Sequence, residues 1–172
     1  MKSALFVLLA AAAASAAGID STRFSPPAGD YSVEYPAAWR KSFGLRTLGL
    51  RPPGHDGKEL RFRLEEHDGD AKAFVEGLAA KASAVKKLDS RTEAAVAGRK
   101  ASRLEFVETV PLKSRVGGPL PGPAREVFYV VPREKGFLVL AWEGFGEGGR
   151  RRLPELEKIV ASLKLSIPTA KP

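Results

Sequence analysis

The stretch that decides the fold is Ala124–Trp142, which reads AREVFYVVPREKGFLVLAW. It contains two dense apolar runs, Val127–Val131 and Phe137–Trp142, which are rich in β-branched and aromatic residues. The polar connector Pro132–Gly136 is short and contains glycine, so the two runs are predicted to form a β-hairpin. Because Phe137–Trp142 is apolar at every position, we expect this strand to be covered on both faces and to be central in a sheet.

Shorter strand patterns precede this hairpin. In Tyr31–Tyr35 the aromatic and aliphatic residues alternate with polar ones, as in a half-buried strand. Pro36–Trp39 follows and predicts a single helical turn that places Trp39 against the sheet. The remaining predicted strands are Leu45–Leu50, Leu60–Leu64, Ser90–Val96 and Lys100–Val110.

Two segments have the periodicity of amphipathic helices. The first is predicted over Asp70–Leu88, with Asp70 as the N-cap, and the second over Leu153–Leu163, with Pro154 in its first turn. Short turns between successive strands favour antiparallel pairing. The fold class is therefore predicted as α+β, with one antiparallel β-sheet flanked by helices.

The first 17 residues have the features of a cleaved export signal. Lys2 supplies a positive start, Ala4–Ala14 is an apolar run, and Ala14–Ala17 offers the small residues that a signal peptidase recognises. The alternative is an apolar helix packed on the domain. We expect an exported protein, periplasmic or extracellular, without a transmembrane span. Its expected divisions are an irregular segment over 18–29, one domain over 30–167 and a short tail over 168–172.

The composition narrows the possible partners. The 172 residues carry a formal net charge of +8 and no cysteine, which excludes disulfides and lipid attachment to a cysteine. A basic protein is attracted to anionic lipid headgroups, polyanionic glycans and acidic proteins. Nucleic acid is not an expected partner, because the aromatic residues are not interleaved with the basic ones as stacking platforms are.

Several of these segments together resemble the PsbP-like superfamily. The resemblance is carried by Tyr35-Pro36 followed by Trp39, by the mid-chain helix, by the Phe137–Trp142 strand, and by a last helix that ends in Ile159–Lys164. It covers most of 30–167 and implies an α/β/α sandwich that acts as a binding or assembly module. The superfamily includes an extrinsic photosynthetic protein, a eukaryotic Ran-binding factor and exported bacterial proteins. No residue here matches the metal or partner sites of those proteins.

Residues that could support catalysis are scarce, and we expect no enzymatic activity and no cofactor. Without cysteine there is no thiol nucleophile, and the only histidines are His55 and His67. A metal bound by His67, Asp68 and Asp70 is conceivable, but a solvated strand end that leads into a helix cap explains these residues better. We therefore predict no metal site.

Two basic segments are the candidate partner-binding sites. The first is an irregular loop predicted over Pro111–Pro123, followed by Arg125. Long proline-rich loops on a rigid sheet commonly serve recognition, although a loop tip that contacts nothing specific is equally compatible. The second is a run of three arginines at the start of the last helix, where a bound anion would offset their repulsion by the helix dipole. Three solvated arginines are the alternative. The predicted contact residues are Lys113, Arg115, Leu120, Arg125, Arg150, Arg151 and Arg152.

These observations support two functional hypotheses. The first is a non-enzymatic binding or assembly module for a protein or complex of the cell envelope. The second is a peripheral protein that binds anionic lipid or glycan through its net positive charge.

Overall fold

The computed structural model describes residues 20–54, 60–83, 86–112 and 120–166. They form an α+β fold with antiparallel sheets, which confirms the predicted class, although the strands form two sheets and not the one that was predicted. The strands are β1 (Ser21–Phe24), β2 (Tyr31–Pro36), β3 (Arg40–Phe43), β4 (Thr47–Arg51), β5 (Leu60–His67), β6 (Lys86–Val96), β7 (Arg99–Leu112), β8 (Leu120–Pro132), β9 (Phe137–Phe145) and β10 (Lys164–Leu165). The helices are α1 (Ala71–Ala79), α2 (Gly146–Arg151) and α3 (Leu153–Ala161).

The predicted hairpin lies at the centre of the larger sheet. This sheet has seven strands in the order β3-β4-β5-β9-β8-β7-β6, so β9 is its middle strand. Residues Phe137–Trp142 are all buried. The prediction that this strand is central and covered on both faces is confirmed.

The alternating side chains of β9 contribute to two separate apolar clusters. Leu138, Leu140 and Trp142 belong to a cluster that also contains residues of β2 and α3. Phe137, Val139 and Ala141 belong to a second cluster, which contains residues of α1. Because successive side chains of a strand point to opposite faces, the two clusters lie on opposite faces of β9.

The smaller sheet has three strands in the order β1-β2-β10. Its middle strand, β2, is the predicted alternating strand, and Tyr31, Val33 and Tyr35 are buried. The turn after β2 is also present, because the Trp39 N–H donates to the Pro36 carbonyl at 3.0 Å. Trp39 is buried against the sheet, as predicted.

The first predicted helix was too long. Asp70 is the N-cap, and its carboxylate accepts from the Ala73 N–H at 2.6 Å. The helix ends at Ala79, however, and β6 begins at Lys86, which was expected to be helical. The apolar residues of 82–88 fit the period of a helix as well as that of a strand. The antiparallel pairing of β6 with β7 makes the segment from Lys86 onward a strand.

The predicted strand over Leu45–Leu50 was wrong at its start. Leu45 lies in the turn between β3 and β4 and is fully exposed. Strand β3 was not predicted, because all four of its residues are exposed and it has no apolar alternation. Segment 18–29 was expected to be irregular, yet part of it, β1, pairs with β2.

The irregular loop predicted over Pro111–Pro123 was wrong at both ends, and its middle, 113–119, lies outside the described residues. Strand β7 continues to Leu112 and β8 begins at Leu120, with Pro111 directly opposite Pro121. Prolines are tolerated here because each strand has only one neighbour at these positions, so a missing N–H on the outer edge costs no ladder hydrogen bond.

Candidate functional site

At one end of the larger sheet, β7 and β8 continue beyond their neighbours. Strand β6 pairs with β7 only as far as Glu108, and β9 pairs with β8 only as far as Ala124. Beyond these residues, Thr109–Leu112 pairs with Leu120–Pro123 alone. We call these two segments the ribbon. Each strand of the ribbon has one backbone edge without a neighbouring strand in the described part of the chain, which makes the ribbon a natural contact element.

Helix α2 lies against β8 and β9 at the base of the ribbon. The contact depends on two glycines, because a Cβ atom added at Gly149 would lie only 2.7 Å from the Cα of Gly144. Arg150 and Arg151 form the end of this helix and are both exposed. The structure therefore brings the two predicted basic segments to the same end of the sheet.

Two of the three arginines do not oppose a helix dipole as predicted. Arg150 and Arg151 are in the last turn of α2, where a positive charge is favourable. Arg152 separates α2 from α3 and forms an ion pair with Glu155 at 3.2 Å. Arg152 is also the N-cap of α3, so its charge does lie at the positive end of that helix, where Glu155 in the first turn offsets it.

Arg125 belongs to a charged cluster on the sheet. Glu105 is buried, and it forms ion pairs with Arg125 and with Arg103, whose Nη2 lies 2.8 Å from Glu105 Oε2. Burial by itself lowers the pKa of Arg103, but hydrogen bonds to Tyr129 and Glu105 raise it above its usual value. Arg125 therefore compensates a buried charge, and its contact with a partner stays a prediction.

Of the other predicted contact residues, the structure describes Leu120. Leu120 is the first residue of β8 and therefore starts the second segment of the ribbon. Lys113 and Arg115 lie in 113–119, outside the described residues. Their role in partner binding stays a prediction.

A cavity of about 610 Å³ lies at the other end of β8. It is lined by the turn between β8 and β9, the turn between β6 and β7, and the residues beside β2 and β10. The charged lining residues are Asp30, Arg99, Arg133, Glu134 and Lys135. This volume is in the range of small-molecule sites.

Arg133 is the central residue of this cavity. Its side chain is only 11% exposed, and its Nη1 lies 2.5 Å from Asp30 Oδ2. Its Nη2 lies 3.7 Å from Glu66, which accepts a hydrogen bond from the Tyr31 hydroxyl at 3.1 Å. Burial raises the pKa of Tyr31, and the Glu66 carboxylate raises it further. Two buried atoms of the pair, Asp30 Oδ1 and Arg133 Nε, have no hydrogen-bond partner among the described residues.

The described histidine is part of an aromatic cluster. His67 stacks on Phe137 with ring centroids 5.1 Å apart and lies 5.0 Å from Phe74. Its Nε2 lies 3.1 Å from Glu65. Asp68 forms an ion pair with Arg46 at 2.5 Å, which lowers the pKa of that carboxyl. The described residues contain no group of three or more metal-ligating side chains, and His55 lies outside them.

No protein-family model and no curated protein matches the chain. Several solved structures match its fold. A Bacteroides thetaiotaomicron protein superposes with a TM-score of 0.60 at 15% identity over 87% of this chain, which spans half of that protein's length. Cyanobacterial PsbP from Synechocystis matches with a TM-score of 0.57 at 10% identity, over 88% of this chain and 96% of that one. The Saccharomyces cerevisiae Ran-binding protein Mog1p matches with a TM-score of 0.56 at 8% identity, over 86% and 96%.

The chain has the PsbP-like fold. The resemblance predicted from Tyr35-Pro36, Trp39 and the Ile159–Lys164 helix end is thereby confirmed at the level of the fold. At these identities the comparisons carry no site residue over to this chain.

The cavity was not predicted from the sequence. Its lining residues come from four separate parts of the chain, near residues 30, 98, 134 and 166. None of these parts carries a local motif, so only the sheet pairing brings them together. The ribbon was partly predicted, because its proline content indicated an exposed segment although its strand pairing was missed.

Proposed function

We propose that this PsbP-like chain is an exported, non-enzymatic binding or assembly module that contacts a protein or complex of the cell envelope. The observation that supports it best is the ribbon with α2 at its base. These elements join a projecting two-stranded arm to exposed arginines, and the predicted basic residues Lys113 and Arg115 lie in the segment that connects its two strands.

The chemistry of this end of the sheet favours an acidic protein surface. Arg150 is exposed and forms no ion pair with the described residues, so its charge is available to a partner. The outer backbone edges of the ribbon can pair with an extended segment, because unpaired N–H and C=O groups accept an additional strand. A packed contact of this kind would survive salt better than attraction by net charge alone.

The fold is compatible with this role, because Mog1p, a Ran-binding protein, has the same fold. Export is proposed from the N-terminal pattern of the sequence, and residues 1–17 lie outside the described part of the chain. Within the described residues, no helix is long and apolar enough to cross a membrane. The α/β/α sandwich is part of the proposal, and the assignment of α1 and α3 to different apolar clusters supports it.

The proposal that the protein is not an enzyme rests on the surroundings of the described histidine. His67 is stacked in an aromatic cluster and does not line the cavity around Arg133. A histidine that acts as a general base must reach a bound substrate.

Affinity capture from an envelope extract tests the proposed function. The bait is the full chain, compared with a Lys113→Glu/Arg115→Glu/Arg150→Glu variant and with a control of equal charge at exposed positions away from the ribbon, Lys135→Glu/Lys158→Glu/Lys164→Glu. Arg125 is left unchanged because it compensates Glu105. We expect one defined protein to be retained at high salt by the wild type and the control, and to be lost by the ribbon variant. Equal loss from both variants would show that binding depends on net charge alone, and it would overturn the proposed site.

A further inference from the structure

Four arginines lie on one face of the strands at the edge of the larger sheet. Arg40 lies directly opposite Arg51 across the β3–β4 pair. Arg51 and Gly49 are two residues apart on β4, so they share a face. Gly49 lies opposite Arg63 across the β4–β5 pair, which puts Arg63 on this face, and alternation along β5 adds Arg61. We call Arg40, Arg51, Arg61 and Arg63 the arginine face.

The arrangement of Arg40 and Arg51 is unfavourable for the sheet itself. Like charges directly opposite each other on neighbouring strands are destabilising. Both side chains are exposed, and neither forms an ion pair with an acidic residue in the part of the chain that the structure describes. A negatively charged ligand would convert this repulsion into an attraction, so the pair points to an anion.

The arginine face contains a depression of about 200 Å³ that is lined by Arg51, Arg61 and Arg63. Gly49 also lines it, and a Cβ atom at this position would lie 2.6 Å from Ser42 Oγ, so glycine keeps this space open. Arg63 forms an ion pair with Glu143 at 2.6 Å, but its buried Nε has no hydrogen-bond partner among the described residues. A second carboxylate, Glu65, lies 3.5 Å from Arg63, so Arg63 is held by the acidic residues of its own face. The exposed guanidinium groups of Arg40 and Arg51 are the ones available to phosphate oxygens, which fit their fixed fork of N–H groups.

The same β3–β4 hairpin exposes two large apolar side chains. Phe43 is 59% exposed, and Leu45, in the turn, is fully exposed. The Lys41 ammonium lies 5.7 Å from the centroid of the Phe43 ring. Exposed apolar side chains beside cations are typical of proteins that lie at a membrane surface, where the apolar groups enter the headgroup region. Phe43 lies opposite Leu48, on the other face of the hairpin from Arg40 and Arg51, and one side of its ring packs on Phe24 at 5.5 Å between ring centroids. A free phosphate ion on the arginine face would give the fully exposed Leu45 no contact.

We propose that the arginine face and the tip of the β3–β4 hairpin bind an anionic membrane surface through the phosphate groups of its lipids. This contact uses a different surface from the ribbon, so the chain can lie on a membrane and hold a protein partner at the same time. It goes beyond attraction by net charge, because it assigns the contact to one edge of the sheet.

Vesicle co-sedimentation tests the proposal. The full chain is mixed with vesicles of phosphatidylcholine alone or with added phosphatidylglycerol. The test variant is Arg40→Glu/Arg51→Glu, and the control variant is Lys87→Glu/Lys158→Glu. Both variants change the net charge by the same amount, and both keep the N-terminal segment unchanged. Because each cation near an anionic surface contributes about 1 kcal/mol, we expect the test variant to lose about tenfold or more of its partitioning. The control should stay within about twofold of the wild type. Equal loss in both variants would overturn the proposal.

A fluorescent reporter tests the apolar part of the contact. The native tryptophans Trp39 and Trp142 are buried, so the emission of a Leu45→Trp variant reports mainly on the hairpin tip. We expect a blue shift with phosphatidylglycerol vesicles and a reduced affinity in a Phe43→Ser/Leu45→Ser variant. Sedimentation with vesicles while the emission stays unchanged would overturn insertion of the tip.

A competition experiment distinguishes a lipid phosphate from a free one. Inorganic phosphate is added to vesicle-bound protein, and sodium chloride of the same ionic strength serves as the reference. We expect the two salts to release the protein equally, because the membrane surface presents many phosphates at once. Selective release by phosphate would show a site for a free anion and overturn the membrane contact.

Discussion

Ser162 Oγ lies 2.8 Å from the backbone nitrogen of Glu34, so the end of α3 is tied to the middle of β2. The same oxygen lies within hydrogen-bond distance of the Glu34 and Ile159 carbonyls, at 3.1 and 2.7 Å. The serine at the end of the last helix, which contributed to the PsbP-like resemblance, therefore joins the helix to the smaller sheet. A sequence feature that indicated a family thus has a local physical explanation.

Replacing Ser162→Ala should destabilise the protein. The Glu34 N–H then loses its acceptor in a partly buried position, which costs about 1–3 kcal/mol. Urea unfolding measures the change, and Ser166→Ala, at an exposed position, is the control with an expected change below about 0.5 kcal/mol. Equal stability of the two variants would show that the hydrogen bond to β2 contributes nothing.

Two glycines of α2 should respond differently to the same substitution. A Cβ atom at Gly149 would lie 2.7 Å from the backbone of Gly144, whereas a Cβ atom at Gly148 would have nothing within 4 Å. We expect Gly149→Ala to displace α2 and to destabilise the protein by about 1–3 kcal/mol. Gly148→Ala should be neutral or slightly stabilising, because alanine favours a helix. Thermal unfolding of both variants provides the comparison, and a stable Gly149→Ala variant would contradict the described packing.

The buried Tyr31 should make stability depend on pH in the alkaline range. Burial and the Glu66 carboxylate raise its pKa in the folded protein. In the unfolded chain tyrosine ionises near pH 10, so above about pH 10 the unfolded state loses a proton that the folded state keeps. The contribution is therefore fully present below about pH 10 and is lost as the pH rises further. Urea midpoints at increasing pH should fall more steeply for the wild type than for Tyr31→Phe, and parallel curves would contradict the assignment.

The arginine face predicts a substitution that stabilises the fold and weakens its binding. Arg51→Glu replaces two like charges directly opposite each other with an ion pair, which should add about 0.2–1 kcal/mol to the free energy of unfolding. The same substitution should reduce binding to anionic vesicles. Chemical unfolding and vesicle co-sedimentation on one preparation measure both effects. Reduced binding together with reduced stability would indicate a folding defect and not a lost contact.

The sequence predicted a strand's position in the sheet best where the apolar pattern of that strand was sufficient by itself. Phe137–Trp142 is apolar throughout, so its central position followed from burial on both faces. Strand β3 has the opposite character, since all of its residues are exposed and edge strands need no apolar alternation. The end of α1 was missed because the residues after Ala79 have no strong stop signal, and the pairing of β6 depends on residues about 20 positions away in β7.

The candidate sites were predictable only in part. A basic and proline-rich segment indicated an exposed contact region, but the extension of β7 and β8 into a ribbon depends on the pairing of two distant segments. The cavity around Arg133 and the arginine face are assembled from several strands, and each strand contributes one or two charged residues. Such sites have no local spacing rule and become visible only when the register of the sheet is known.

Site-specific photo-crosslinking tests the proposed partner contact most directly. A photoreactive phenylalanine analogue replaces Arg115 or Arg150, or Lys135 at the opposite end of β8 or Lys158 on α3 as exposed controls, in cells that produce the full chain. We expect one adduct of the same mass from positions 115 and 150, and none from positions 135 and 158. An adduct that forms only at the control positions, or equally at all four, would contradict partner binding through the ribbon and α2.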